Sequence, residues 1–247
     1  MRRPRRRTVV LALLVVFAAL VAGGAWYVQP QPLLPEAASS LASTASVTYA
    51  RDGDRYTWAP ADGNATTGLI VYPGGKVPAA AYGPLAAEIA AKGFLVEVVA
   101  MPFNLAVFGI DRADATIAAH PEIERWAIGG HSLGGSMAAQ YASGHLDAID
   151  GLVLWASYAA TDLSSTDLRV LSVWGSLDAG AARMSSVEAR TAVPDDAVFL
   201  DIPGGNHEQM AWYTGQPTDP PATISRVEQQ ARVAGATVAL LILLEGP

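Results

Sequence analysis

With 247 residues and no cysteine, the sequence has room for one sizeable α/β domain and excludes disulfides, a thiolate nucleophile and cysteine-held zinc or iron–sulfur sites. The formal charge is −7, and the only lysines are Lys76 and Lys92, so the basic residues are nearly all arginine. Setting aside five amino-terminal arginines leaves about −12, a poor surface for nucleic acid or anionic lipid head groups.

Arg2, Arg3, Arg5, Arg6 and Arg7 form a basic cluster, and Thr8 to Val28 carries no charge. A bilayer crossing takes about 20 apolar residues, whereas the core of a cleaved signal has about 7–15. Residues 1–28 therefore read as a basic amino terminus followed by a transmembrane helix. Cleavage at Gly23-Gly24-Ala25, giving a secreted protein, is the alternative. The positive-inside rule keeps the arginines in the cytoplasm and puts everything after Trp26 and Tyr27 outside. Pro30, Pro32 and Pro35, with the small polar run Ala37 to Ser46, read as an extended linker over 29–46, and the folded domain is expected at 47–247.

Val47 to Ala50 and Tyr56 to Ala59 alternate around Arg51-Asp52-Gly53-Asp54, a hairpin signal. Gly68 to Tyr72 suits a strand buried on both faces and ends at Pro73-Gly74-Gly75-Lys76. A helix is expected from about Ala79 to Lys92, a strand over Phe94 to Val99, and a helix near Asp111 to Ala119. A short buried strand ending at Trp126, Ala127 and Ile128 leads to a helix from Leu133. Gly151 to Trp155, Arg169 to Trp174 and Ala197 to Ile202 read as further strands, and Ile224 to Leu244 as a closing helix packed on the sheet. Only Ser157 to Leu168 separates two of these strands, which leaves no room for a lid domain. Strands alternating with helices at this spacing predict a doubly wound, mostly parallel sheet.

Gly130-His131-Ser132-Leu133-Gly134 is a G-x-S-x-G pattern at a strand-to-helix junction. So tight a turn strains its central residue and needs glycines beside it, and it pushes Ser132 Oγ out at the carboxyl edge of the sheet. A serine hydroxyl at neutral pH needs a base within hydrogen-bond reach, and that base needs an orienting group. Where this elbow pattern is best known, the acid and then the histidine follow the serine. Of the four histidines, His120 and His131 precede Ser132 and His145 lies just past the elbow helix, so His207 alone fits. Asp178, on the loop leaving the preceding strand, is preferred as the acid over Asp162, Asp167 and Asp201. For the oxyanion, the Leu133 amide is one expected donor and the Gly75 amide the other, with Lys76 as second choice.

From about Val47 to Leu244 the chain resembles an α/β-hydrolase fold domain. More narrowly, it is similar to lid-less bacterial hydrolases related to the dienelactone hydrolase branch. The resemblance rests on VYPGGK followed by a helix, MPFN, GGHSLGG, WGSLD and GGNHEQMAWYTGQPTDPPATISRVEQQ. It implies Ser132 as nucleophile, Asp178 as acid, His207 as base, and Gly75 with Leu133 as oxyanion donors. Pro73-Gly74 stands where many hydrolases have His-Gly.

The expectation is an anchored, extracytoplasmic serine hydrolase acting on a small-molecule ester or related acyl bond, with no metal and no organic cofactor. Acyl transfer, thioester or lactone hydrolysis by the same apparatus is the alternative, and a non-catalytic binding protein on this fold a more distant one. Lys76 is a candidate for recognising an acidic acyl group, and Trp212 and Tyr213 for lining an apolar pocket.

Overall fold

The computed structural model describes residues 6–215 and 219–246, with the side chains of residues 6 and 8–12 outside that description. Arg2, Arg3 and Arg5 of the basic cluster therefore lie outside the described residues. Helix α1 covers Arg6–Tyr27. Its apolar stretch among the described residues is Leu13–Tyr27, shorter than the about 20 residues a bilayer crossing takes, so the helix does not by itself establish a transmembrane segment.

The expected linker is folded against the domain instead of extended. Pro35 opens a short helix, α2 (Pro35–Ser39), at the position where a fixed φ and a missing N–H cost nothing. Ala37 is fully buried, and the Ser40 carbonyl accepts a 2.7 Å hydrogen bond from the indole of buried Trp58. Leu33 bridges to Tyr213, and the Gln31 amide donates to the Lys76 carbonyl at 2.7 Å. Prolines and small residues were read as tether composition. Here the small side chains permit close packing and the prolines limit the freedom lost on ordering.

The sheet has eight strands in the order β1-β2-β4-β3-β5-β6-β7-β8. Val47–Asp52 (β1) and Arg55–Pro60 (β2) form the expected hairpin, and Gly53 takes φ +60° in its turn, which glycine does without steric cost. Thr67–Tyr72 (β3), Leu95–Val99 (β4), Arg125–His131 (β5), Gly151–Trp155 (β6), Arg169–Gly175 (β7) and Val198–Ile202 (β8) run parallel. Every residue of β3, β4 and β6 is buried, as in a sheet covered on both faces. No helix or strand forms within residues 156–168, between β6 and β7.

The predicted helix over 79–92 is shorter than expected: a 3₁₀ turn at Ala79–Tyr82 leads into α3 (Gly83–Ala90). The next helix, α4, spans Ala113–Ala119, and α5, Leu133–Gly144, follows the elbow. Two short helices, α6 (Ala181–Met184) and α7 (Val187–Thr191), precede β8, and α8 (Arg226–Leu244) closes the chain. Its Ser225 cap accepts from the Glu228 amide. Among the described residues α8 alone is long and apolar enough to cross a membrane, but 44% of that stretch is buried in the protein. It packs with α3 against one face of the sheet, and α5 covers the other. From β3 the chain goes to β4 on one side, and β5 returns on the other side of β3. The carboxyl ends of β3 and β5 therefore flank the switch point, where ligands of open α/β sheets bind.

One polar cluster sits inside the sheet. Glu97 on β4 is buried, and its carboxylate accepts from Thr57 at 2.8 Å and Thr116 at 2.6 Å and meets His120 Nε2 at 3.0 Å. Burial alone would raise the Glu97 pKa, but the hydrogen bonds from His120, Thr116 and Thr57 outweigh it and leave it lowered. Bonding to Glu97, then to Glu122, raises His120. A raised histidine contributes stability that is full below its unfolded pKa, about 6.5, and is lost as pH rises through the folded value. A lowered carboxyl contributes above about 4.5 and loses that as pH falls. His120→Asn is therefore expected to flatten the decline of unfolding free energy between about pH 6 and 8, measured by urea titration at each pH. An unchanged slope overturns the assignment.

Candidate active site

Between the last residue of β5, His131, and the first of α5, Leu133, stands Ser132 alone. It takes φ 53° and ψ −123°, a conformation costing a residue with a side chain about 1–3 kcal/mol. Its neighbours hold it there: the Ser132 amide donates to the Trp155 carbonyl at 3.0 Å, and its carbonyl accepts from Ser157 Oγ at 2.7 Å. The glycine requirement is steric. A Cβ on Gly130 would lie 2.4 Å from the Tyr72 carbonyl oxygen, and one on Gly134 2.0 Å from the same oxygen.

Asp178 and His207 come from loops after β7 and β8 and meet at the same sheet edge. Asp178 Oδ2 lies 2.8 Å from His207 Nδ1, and Asp178 Oδ1 accepts from the Gly180 amide at 2.6 Å. The Asp178 side chain is 1% exposed, so its charge is shielded from water and directed at the imidazole. Ser132, Leu133, Asp178 and His207 all line one cleft of about 350 Å³. No hydrogen bond joins Ser132 Oγ to His207 among the described residues. Of the competing acids, Asp162, Asp167 and Asp201 are exposed, and Asp162 accepts from the amide and hydroxyl of Ser164. His120 is tied to Glu97, and His145 stacks on Tyr141 with ring centroids 3.9 Å apart.

The Gly75 and Leu133 amides have no partner among the described residues, and a Cβ on Gly75 would touch the Leu133 side chain at 3.7 Å. Lys76, the second choice as donor, is excluded because its amide donates to the Asn104 carbonyl at 2.7 Å. Its ammonium lies 5.1 Å from the Tyr27 ring centroid and does not line the cleft, which removes the basis for an acid-recognising lysine. Trp212 and Tyr213 do not line it either. Trp212 donates to Gln230 at 2.8 Å, and Tyr213 is fully buried.

Four supports were not visible in the sequence. Asp219 accepts from the His207 amide at 2.5 Å and the Ala179 amide at 3.2 Å, tying the histidine loop to the acid loop. Buried Gln229 on α8 pairs with both backbone groups of Asn206, at 3.0 and 2.7 Å. His131, set aside because it precedes the serine, is fully buried with its ring centroid 4.4 Å from that of His207. Desolvation, then the charge of His207, pushes its pKa well down, so it stays neutral. Tyr82 accepts from the Gly74 amide at 2.8 Å and shares a 2.9 Å hydrogen bond with His131 Nδ1, joining the glycine loop to the ring behind His207. A carboxylate serving backbone amides, or a hydroxyl between a loop and a strand end, leaves no side-chain spacing to read.

Among the described residues no group of three or more histidine, aspartate or glutamate side chains could hold a metal ion. A family model described as the alpha/beta hydrolase family matches residues 68–231, well over half of the chain. No curated protein matches it.

Proposed function

Because the chain belongs to the alpha/beta hydrolase family, we propose that it is a serine hydrolase cleaving a carboxylic ester or related acyl bond through Ser132, His207 and Asp178. The observation that carries this reading is the 2.8 Å contact between Asp178 Oδ2 and His207 Nδ1 on the cleft that Ser132 opens into. With Nδ1–H donated to Asp178, the His207 Nε2 lone pair is free to take the Ser132 proton. Ser132 Oγ attacks the carbonyl, and charge collects on its oxygen. Removing one donor from an oxyanion site costs roughly 2.7–4 kcal/mol, and the Gly75 and Leu133 amides are unspent beside the serine. His207 then protonates the leaving alcohol, and a water that it deprotonates releases the acyl group.

The short, irregular stretch 156–168 supports a site without a lid, as in the dienelactone hydrolase branch that the chain resembles. The uncharged run from Thr8, continued by exposed Leu13, Phe17, Leu20 and Trp26 on α1, supports a membrane anchor with the domain outside the cytoplasm, or export if that segment is cleaved. The acidic domain argues against nucleic acid as a partner; a small-molecule ester is the partner that the proposed chemistry implies.

The test is a fluorophosphonate probe applied to membranes of cells expressing the full chain, with the modified peptide mapped by mass spectrometry. Labelling at Ser132, in a protein that resists carbonate extraction, is expected. Folded protein that takes no label overturns the hydrolase reading. Labelled protein released by carbonate overturns only the anchor.

A further inference from the structure

The stretch 101–110, MPFNLAVFGI, follows β4 at the carboxyl edge of the sheet and carries no charge, although the domain is acidic. Phe103 is 64% exposed and Phe108 58%, with their rings edge to face at 5.5 Å between centroids, and Val107 is exposed beside them. Single exposed apolar side chains are ordinary; an aromatic pair on an uncharged stretch marks a surface that something covers. The backbone here is uncommon for residues with side chains, with φ 54° at Phe103 and 56° at Asn104. Asn104 is held from two sides. Its carbonyl accepts from the Lys76 amide at 2.7 Å, and its side-chain amide donates to the Val28 carbonyl at 2.9 Å.

That last bond puts the end of α1 beside the patch. Leu13, Phe17, Leu20, Trp26 and Tyr27 of this helix are exposed, and Val28 is the residue that follows it. The Gln31 amide donates to the Lys76 carbonyl, and the Lys76 ammonium lies 5.1 Å from the Tyr27 ring centroid. Tryptophan, tyrosine and lysine are the side chains that collect where a membrane helix leaves the bilayer. No slack separates helix from domain, because the first residue beyond α1 is bonded to the loop that carries Phe103. An α1 seated in a bilayer therefore holds the uncharged stretch at the lipid surface. The cleft shares this edge: a Cβ on Gly75 would lie 3.7 Å from both Leu105 and Leu133.

We propose that Phe103, Val107 and Phe108 form a membrane-docking face that rests the cleft on the lipid surface, so that Ser132 acts on an ester held in the bilayer. This rests on the anchor and hydrolase readings above and names the surface and substrate class that go with them. The attraction is burial of apolar side chains, because an acidic domain gains nothing from anionic head groups, and a zwitterionic bilayer is the surface that fits.

The chain has no cysteine, so one introduced thiol can be labelled uniquely. Val107→Cys keeps both phenylalanines, and Asp147→Cys lies exposed beyond α5 at the opposite edge of the sheet. Each is coupled to an environment-sensitive fluorophore in the full chain, reconstituted into phosphatidylcholine vesicles. The label at 107 is expected to shift to the blue and to be quenched by nitroxides on the lipid acyl chains, at the depth of about 5–10 Å that interfacial side chains reach, and the label at 147 to do neither. The double variant Phe103→Ser/Phe108→Ser should lose about tenfold or more in kcat/KM on a long-chain 4-nitrophenyl ester dissolved in the vesicles, and less than about threefold on water-soluble 4-nitrophenyl acetate. Carbonate-resistant protein whose label at 107 is quenched no more than that at 147 overturns the docking face and leaves the anchor standing. A blue-shifted label that lipid nitroxides do not quench means that protein, such as a second copy, covers the patch, and overturns it as well. Equal losses on the two esters, or no cleavage of the vesicle-borne ester by wild type, overturn the bilayer-held substrate. Release by carbonate removes the anchor and this proposal together, while fluorophosphonate labelling at Ser132 still decides the hydrolase reading.

Discussion

Replacing Asp178 by asparagine is expected to lower kcat by roughly 10⁴-fold while the protein stays folded. The fold is preserved because an asparagine Oδ1 can still accept from the Gly180 amide, now at 2.6 Å, and the side chain is isosteric. The damage is confined to Asp178 Oδ2, which lies 2.8 Å from His207 Nδ1. An amide NH₂ there donates, so Nδ1 becomes the acceptor and the imidazole proton moves to Nε2. That nitrogen can then no longer take a proton from Ser132, and the imidazolium that forms during attack loses its counter-charge. Stopped-flow or steady-state kinetics on a chromogenic ester, with a thermal melt to verify folding, reads both parts. A loss below about tenfold in a folded variant would take the orienting role away from Asp178.

Part of this site was legible because its logic is written along the chain. Strand, glycine-flanked serine and helix follow one another within a few residues, and only His207 lies late enough among four histidines to serve as base. The parallel strands were legible for a similar reason: unbroken apolar runs such as Leu69 to Tyr72 and Leu152 to Trp155 have to be covered on both faces. What the sequence concealed depends on distance across the fold. Asp219 stands 12 residues beyond His207 and reaches back to its amide, and Gln229 reaches Asn206 from a helix. Residues 29–46 misled by composition, because nothing in a proline-rich run announces that Trp58 and Tyr213 wait to receive it. Lys76 misled by adjacency: it follows Gly75 in sequence, yet at φ 65° its backbone turns and its ammonium faces Tyr27.

Gly134→Ala is expected to lower both stability and kcat, and the two effects have one cause. A Cβ at this position would lie 2.0 Å from the Tyr72 oxygen and 2.5 Å from the Pro73 oxygen, both backbone atoms at the end of β3. Backbone cannot swing aside as a side chain can, so α5 and the end of β3 have to separate. Overpacking of this kind costs about 1–3 kcal/mol, and for a chain of this size each kcal/mol lowers Tm by about 2–4 °C. The separation also carries Pro73, and with it the Gly75 amide, away from Ser132. A misplacement of about 1 Å in a catalytic constellation costs about 10²-fold in rate, so kcat should fall by about that factor in protein that is still folded at the assay temperature. Gly235→Ala supplies the contrast. It lies mid-helix in α8, where the added Cβ would meet nothing within 4 Å beyond its own helical backbone, and should raise stability by about 1 kcal/mol without touching the rate. Should Gly134→Ala melt lower and yet turn over at the wild-type rate, the glycine serves packing alone. The Gly75 amide would then not be the second oxyanion donor, because its position could shift without consequence.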